Sequence, residues 1–259
     1  MGEMMKILIQ SFKNFPEFFN TCNIYIHEKS IKLIKIQKMK LKKNNVSWIS
    51  KINKIKKYPT IFIANEFFDS IPIKQFLKLD GSWFERYVNM ENKKNFFFFN
   101  KKIDIKKFEK KIKYNISHKQ NFIEYSQNSI NYLKNVCKII KKYKGGALII
   151  DYGYFEERMK NTLQAISGQK YSNVLKNFGN SDITHNISFY LFKNIIQKIK
   201  HLEAITTNQG EFLTKIGINR RAEIISKNLS FLKKADVYYR LSRLIDKKQM
   251  GWSFQSVIY

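Results

Sequence analysis

The stretch Thr60-Ile-Phe-Ile-Ala64, followed by Asn65-Glu66-Phe67-Phe68-Asp69, decides how this chain is read. Residues 60–64 are a nearly unbroken apolar run, the pattern of an interior parallel strand covered on both faces. A second run of the same kind, Ala147-Leu-Ile-Ile-Asp151, leads into Tyr152 and Gly153. Upstream, Asn23-Ile-Tyr-Ile-His27 is a short strand-like run ending in Glu28, and Val46 to Ile49 reads as a short strand or edge. Between these lie helical spacings. Met4, Ile7, Leu8 and Phe12 mark a helix over 3–13, and Ile31, Ile34, Met39 and Leu41 mark one over 30–41. The order helix, strand, helix, strand, strand predicts an α/β fold with a parallel sheet.

Residues 73–125 break that rhythm. Lys74 to Leu79, Phe84 to Val88 and Phe96 to Phe99 are short strand-like runs around the Asp80-Gly81 turn, the signature of an antiparallel insertion. Phe96 to Phe99 reads as a buried strand. The Lys-rich stretch 101–115 alternates charge with Ile and Phe, a solvated face with an apolar stripe. Ile130, Leu133, Val136, Cys137 and Ile140 place a helix over 127–143, with Lys141 and Lys142 at its C-terminal dipole and Gly145-Gly146 as its stop. Later helices are expected at 187–199, 211–227 and 236–248, with a closing strand at 252–259.

Composition limits the function classes. With 259 residues, 44% hydrophobic and 15% aromatic, the chain can bury a sizeable core. It is not a disulfide scaffold, a collagen or a coiled coil. Its 48 basic and 20 acidic side chains give a formal net charge of +28. Such a charge suggests nucleic acid or a membrane surface. Only six of the basic residues are Arg, however, and Lys, Asn, Ile, Phe and Tyr all have A/T-rich codons, so composition drift accounts for the charge more simply. Cys22 and Cys137 read as lone buried thiols, and without a Cys/His cluster no metal site is expected. The N-terminus lacks the order of a signal peptide, and no apolar run approaches the roughly 20 residues that span a bilayer. A cytoplasmic setting is expected.

The acids carry the signal. In open α/β sheets ligands sit beyond the C-terminal ends of the strands. Glu28 follows the first strand-like run; Asn65, Glu66 and Asp69 follow the second; Asp151, Tyr152 and Gly153 end or follow the third. A carboxylate at such a point can cap a helix or hold the hydroxyls of a ribose.

ANEFFDSIPIKQF (64–76) strongly resembles the signature of the MidA-type methyltransferases. These are class I S-adenosylmethionine-dependent enzymes, and the family includes the mitochondrial complex I assembly arginine methyltransferase. Counterparts continue in order: IYIHEKSIKLIKIQKMKL (24–41), VSWISKI (46–52), GSWFERYV (81–88), IEYSQNSI (123–130), GGALIIDYGY (145–154), NTLQAISGQKY (161–171), SDITHNISF (181–189), TTNQGEFLTKIGINRRAEII (206–225) and DKKQMGWSFQSVIY (246–259). The resemblance covers essentially the whole chain. It implies a Rossmann-like class I methyltransferase sheet with an inserted antiparallel and helical subdomain. Residues 1–72 would be a partial cofactor half, 73–125 the insertion, and 126–259 the remainder with a helical substrate-side segment.

The resemblance also implies roles. Glu28 matches the acid that holds the ribose of S-adenosyl-L-methionine, and Trp48 and Ile49 fall where such folds contact adenine. Asn65, Glu66 and Asp69 match the loop that carries the methyl acceptor, where paired acids could grip a guanidinium. Asp151, Tyr152 and Gly153 match a substrate wall. The implied activity is protein-arginine methylation linked to complex I assembly, with no metal. The implied partner is the 49 kDa-type subunit of respiratory complex I, with no nucleic acid, no membrane span and a homodimer compatible with the family. The alternative is a non-catalytic complex I assembly or binding factor. Met1-Gly2-Glu3-Met4-Met5 aligns with the last glycine of the family's cofactor loop, which makes Gly2 a cofactor contact. On this alignment the first strand and earlier loop glycines fall upstream of the chain, through a split or decayed gene, a late start codon or a deliberate truncation. The expectation is that this chain alone binds S-adenosylmethionine weakly.

Overall fold

The computed structural model describes residues 2–42, 44–55, 57–92, 95–168, 170–176 and 178–258, the last seven as backbone only. Contacts divide the chain into two units, Met1–Pro59 and Thr60–Tyr259.

The first unit opens with α1 (Glu3–Phe12), which starts from Gly2 in the left-handed conformation (φ 77) and buries Ile9. A short α2 (Pro16–Thr21), not anticipated from spacing, starts on Pro16, whose fixed φ suits a first helical turn. β1 (Ile24–His27) and β2 (Val46–Ile49) pair in parallel, from Ile24 opposite Val46 to His27 opposite Ile49. Parallel neighbours need a crossover, here α3 (Ile31–Lys40), whose N-cap Ser30 accepts a hydrogen bond from the Leu33 amide. Cys22 is half-buried, not enclosed as expected; its thiol donates to the Phe18 carbonyl.

The second unit begins with β3 (Thr60–Asn65) and a hairpin meander of β4 (Lys74–Leu79), β5 (Ser82–Glu91) and β6 (Asn95–Ile103). α4 (Ile105–Ile112), β7 (Phe122–Tyr125), α5 (Gln127–Tyr143) and β8 (Gly145–Tyr154) follow. A small sheet of β9 (Gln164–Ser167), β10 (Lys170–Ser172) and β11 (Asp182–Thr184) precedes β12 (Ile187–Ser188) and α6 (Phe189–Gln197). β13 (Ile205–Asn208), α7 (Gln209–Lys215), α8 (Ile218–Ser226), α9 (Phe231–Ile245), α10 (Met250–Ser253) and β14 (Phe254–Ile258) complete the chain.

β8 is the axis of the main sheet. β3 runs parallel to it from Thr60 opposite Gly145 to Asn65 opposite Ile150, and β14 runs antiparallel along it. β12 joins in parallel at Gly153 and Tyr154, and β13 pairs with β14. The approach of β3 to β8 requires glycine at 145. A Cβ there would lie 2.0 Å from the Thr60 carbonyl oxygen, and φ is 119. The insertion is a separate antiparallel sheet, ordered β6-β5-β4-β7, as the sequence predicts. Its first turn places Asp80 (φ 46) and Gly81 (φ 76) between the paired Leu79 and Ser82, the geometry of a tight hairpin. One core unites the layers, with Phe68, Phe76, Ile123, Leu133, Cys137, Ile149, Phe189 and Ile196 all buried in it.

Several expectations change. β3 is not covered on both faces: Ile61 is 70% and Ile63 38% exposed. Among the described residues it pairs with β8 only, so it is an edge, and alternate side chains face outward. Phe97, Phe98 and Phe99 are also exposed, because β6 and β5 continue as a two-stranded ribbon beyond β4. The helix expected at 211–227 is two helices, divided at Gly217 (φ 92). The helix placed at 187–199 starts at Phe189 behind the N-cap Ser188. The helix placed at 236–248 spans 231–245. The closing strand is preceded by the turn of α10, and Tyr259 lies outside the described residues. Among the described residues, no helix is long and apolar enough to cross a membrane.

Candidate functional site

The loop between β3 and β4 is built on an acid 82–84 residues away. Asp151, on β8, is fully buried. Its Oδ2 accepts from three consecutive amides, Phe67 (3.2 Å), Phe68 (2.8 Å) and Asp69 (3.4 Å). Its Oδ1 accepts from the Tyr152 amide (2.9 Å). The β3–β8 ladder runs one bond further, from the Glu66 amide to the Ile150 carbonyl (2.9 Å). The chain then turns sharply at Glu66, whose φ of 46 is sparsely populated by residues with a side chain. Phe68 drops into the core, its ring edge-on to Phe192, and Asp69 follows it inward, 6% exposed. Glu66 and Asn65 remain exposed.

Three carboxyls therefore crowd one strand end. Burial raises the pKa of Glu66, and Asp69 adds to it. Burial raises Asp69 as well, against a downward pull from His185 and local amides. Burial pushes Asp151 up to about 7, Asp69 adds to this, and the loop amides oppose it. The Tyr152 hydroxyl is raised by burial first, then by Glu66, Asp69 and Asp151. Among the described residues, no lysine or arginine forms an ion pair with any of the three acids. In a chain with a net charge of +28, these three carboxyls stand at the strand end without a lysine or arginine counter-charge.

The structure thus brings Glu66, Asp69, Asp151 and Tyr152 together. It gives Asp151 the role of a buried anchor for the loop, where the sequence reading put a substrate wall. Gly153 is a packing position: a Cβ there would lie 2.5 Å from both the Ile187 carbonyl oxygen and the Phe189 ring.

The first unit holds a second constellation. Glu28, at the end of β1, turns Oε1 onto the amides of Lys29 (2.8 Å) and Ser30 (2.9 Å). Its Oε2 accepts from Gln37 Nε2 (3.1 Å), and Gln37 Oε1 in turn accepts from Trp48 Nε1 (2.9 Å). Gln37 on α3 therefore links the carboxylate to the indole, and the sequence reading did not single it out. Gly2 packs within 3.5 Å of Gln37, measured from the position a Cβ would take. Ile49 contributes its carbonyl oxygen, 3.1 Å from His27 Nδ1. Glu28 Oε2 keeps acceptor capacity for a hydroxyl, and Trp48 offers a half-buried ring. These donor and acceptor types fit the ribose and adenine of a nucleoside cofactor.

A family described as "Putative S-adenosyl-L-methionine-dependent methyltransferase" matches residues 1–207. The chain belongs to that family. Among curated relatives, it is 25% identical over 284 residues to the mitochondrial protein arginine methyltransferase NDUFAF7 of Xenopus tropicalis, covering 98% of this chain and 64% of that protein. It is 29% identical over 201 residues to the Caenorhabditis elegans homolog, covering 76% of this chain and 47% of that one. The chain therefore spans less than two thirds of either relative's length. A Burkholderia thailandensis crystal structure bound to S-adenosyl-homocysteine superposes with a TM-score of 0.72 at 20% identity, over 91% of this chain and 63% of that one. This likeness supports the fold: parallel β3 and β8 with antiparallel β14 belong to a class I methyltransferase-like sheet.

Proposed function

We propose that this chain carries the acceptor-binding and ribose-binding elements of an S-adenosylmethionine-dependent protein arginine methyltransferase. The observation that carries the reading is the cluster of Glu66, Asp69 and Asp151, three acids with raised pKa and no lysine or arginine ion pair among the described residues, at the end of β3 and β8. A guanidinium would relieve their mutual repulsion and offer paired N–H groups to the two loop carboxyls. Glu66 and Asp69 would orient it so that one nitrogen presents its face, and a carboxylate would take the proton that nitrogen gives up on gaining the methyl group. Asp151 holds the loop in shape and does not itself touch the guest. In the first unit, Glu28 would accept the ribose hydroxyls, with Gln37 fixing the carboxylate's orientation, and Trp48 and Ile49 would lie against the base. S-adenosylmethionine, when bound, supplies an electrophilic methyl on a sulfonium, so no metal is called for.

The relatives' names support a protein arginine as acceptor. The family resemblance further suggests the 49 kDa-type subunit of complex I as substrate. Transfer of labelled methyl from S-adenosylmethionine to an arginine-centred peptide tests the reading. A homologue spanning the relatives' full length, with the equivalent of Glu66→Gln, should lose transfer while keeping its melting temperature. Unchanged turnover would reject the role of Glu66.

A further inference from the structure

The segment 181–189, Ser-Asp-Ile-Thr-His-Asn-Ile-Ser-Phe, has no part in the roles above, yet it reaches the same loop. His185, only 6% exposed, lies just before β12, which pairs with β8 at Gly153 and Tyr154. Its backbone amide donates to the Asp69 carbonyl oxygen at 3.1 Å. Its ring Nε2 is 3.0 Å from the Ile71 carbonyl oxygen, and Nδ1 is 3.3 Å from the Asn186 carbonyl oxygen. A carbonyl only accepts, so Nε2 carries the hydrogen in the bond to Ile71. Asp151 takes the loop's amide hydrogens, and His185 donates to its carbonyls. The acceptor loop is thus gripped through its donors and its acceptors by two different elements.

The tie extends outward. The Asn186 amide donates to Thr162 Oγ1 (2.9 Å), and both the amide and hydroxyl of Thr162 donate to the buried Glu124 on β7. Losing the ring donor would leave the Ile71 carbonyl buried without that partner and free the loop on one side.

We infer that His185 is a positioning residue for the acceptor loop: its ring N–H on Ile71 and its amide on Asp69 hold Glu66 and Asp69 in place to receive a cationic guest. This rests on the proposed role of that loop. The test uses the full chain and two variants. His185→Phe fills the space without a donor, and His185→Gln returns an N–H at similar reach. Amide hydrogen exchange is followed at Phe67, Phe68 and Asp69 against Leu148 and Ile149 on β8. Affinity for an arginine-centred peptide is followed by calorimetry.

His185→Phe should speed exchange at the three loop amides about tenfold relative to β8 and weaken peptide binding by a similar factor, and His185→Gln should recover most of both. Unchanged loop exchange in His185→Phe overturns the inference. So does equal damage in His185→Gln, which would mark a packing role alone. If the parent binds no arginine peptide while loop exchange still responds, the failure belongs to the proposed function, and the exchange result upholds the clamp. If His185→Phe does not fold, His185→Leu takes its place in the same comparison.

Discussion

Two acids at strand ends, Glu28 after β1 and Asp151 on β8, look alike in sequence and are built differently. Glu28 is a local device. Its partners are the next two amides and a glutamine nine residues on. It shapes the turn that leads into its own crossover helix, which Ser30 caps, and keeps capacity to spare. Asp151 is a long-range device. It is fully buried, one oxygen is given to three amides more than 80 residues away, and its pKa is forced upward. The difference teaches that the same sequence signal can mark either a binding group or the anchor of one. Burial and the sequence distance of the partners separate the two cases.

The largest expected contrast is with pH. The folded pKa of Asp151, about 7, lies above its ordinary 3.8, so the folded state holds its proton where the unfolded state has released it. Stability should therefore be greatest below the unfolded value and fall as pH rises between about 4 and 7, by up to ~4 kcal/mol from this group. Glu66 and Asp69 act in the same direction. Denaturant unfolding across that range checks this, and Asp151→Asn should flatten the slope. A slope unchanged in Asp151→Asn would place the proton elsewhere.

Next in size is the anchor itself. At pH 6, Asp151→Ala strips the Phe67, Phe68 and Asp69 amides of their acceptor and should cost about 3 kcal/mol, with faster exchange confined first to residues 66–71. Glu28→Ala should cost only about 1 kcal/mol, the scale of hydrogen bonds that are no more than part-buried. Equal losses in the two variants would erase the distinction drawn between them. Smallest of all is Gln37→Leu, which breaks the link between Glu28 and Trp48. It should change stability by less than about 1 kcal/mol, since each partner it loses is only part-buried, and show mainly as a shift in Trp48 fluorescence.

Much of this was legible in the residues. The runs at 60–64 and 147–151 are paired strands, the insertion is antiparallel, and acids do gather where the strands end. Other features were hidden for physical reasons. An apolar run cannot say whether both its faces are covered, and Ile61 and Ile63 show that β3 has one face open. Four phenylalanines in a row suggest burial, yet in a two-stranded ribbon Phe97, Phe98 and Phe99 are exposed. Asp151 read as part of a substrate wall because nothing local predicts that its partners lie at 67–69. His185 and Gln37 gave no signal beyond membership in recognisable segments, since a histidine between two carbonyls and a glutamine between a carboxylate and an indole are created by tertiary contact alone.

The central claim is that the acids at the end of β3 and β8 receive a guanidinium. Calorimetric titration of the chain with an arginine-centred peptide at pH 7, repeated in buffers of different ionisation enthalpy, tests it most directly. A cation arriving beside Asp151, whose pKa is raised to about 7, should drive its proton off, so binding is predicted to release protons, Asp151→Asn should abolish that release, and Glu66→Gln should weaken affinity. Binding with no proton release, or no discrimination between the arginine peptide and its citrulline counterpart, would contradict the account.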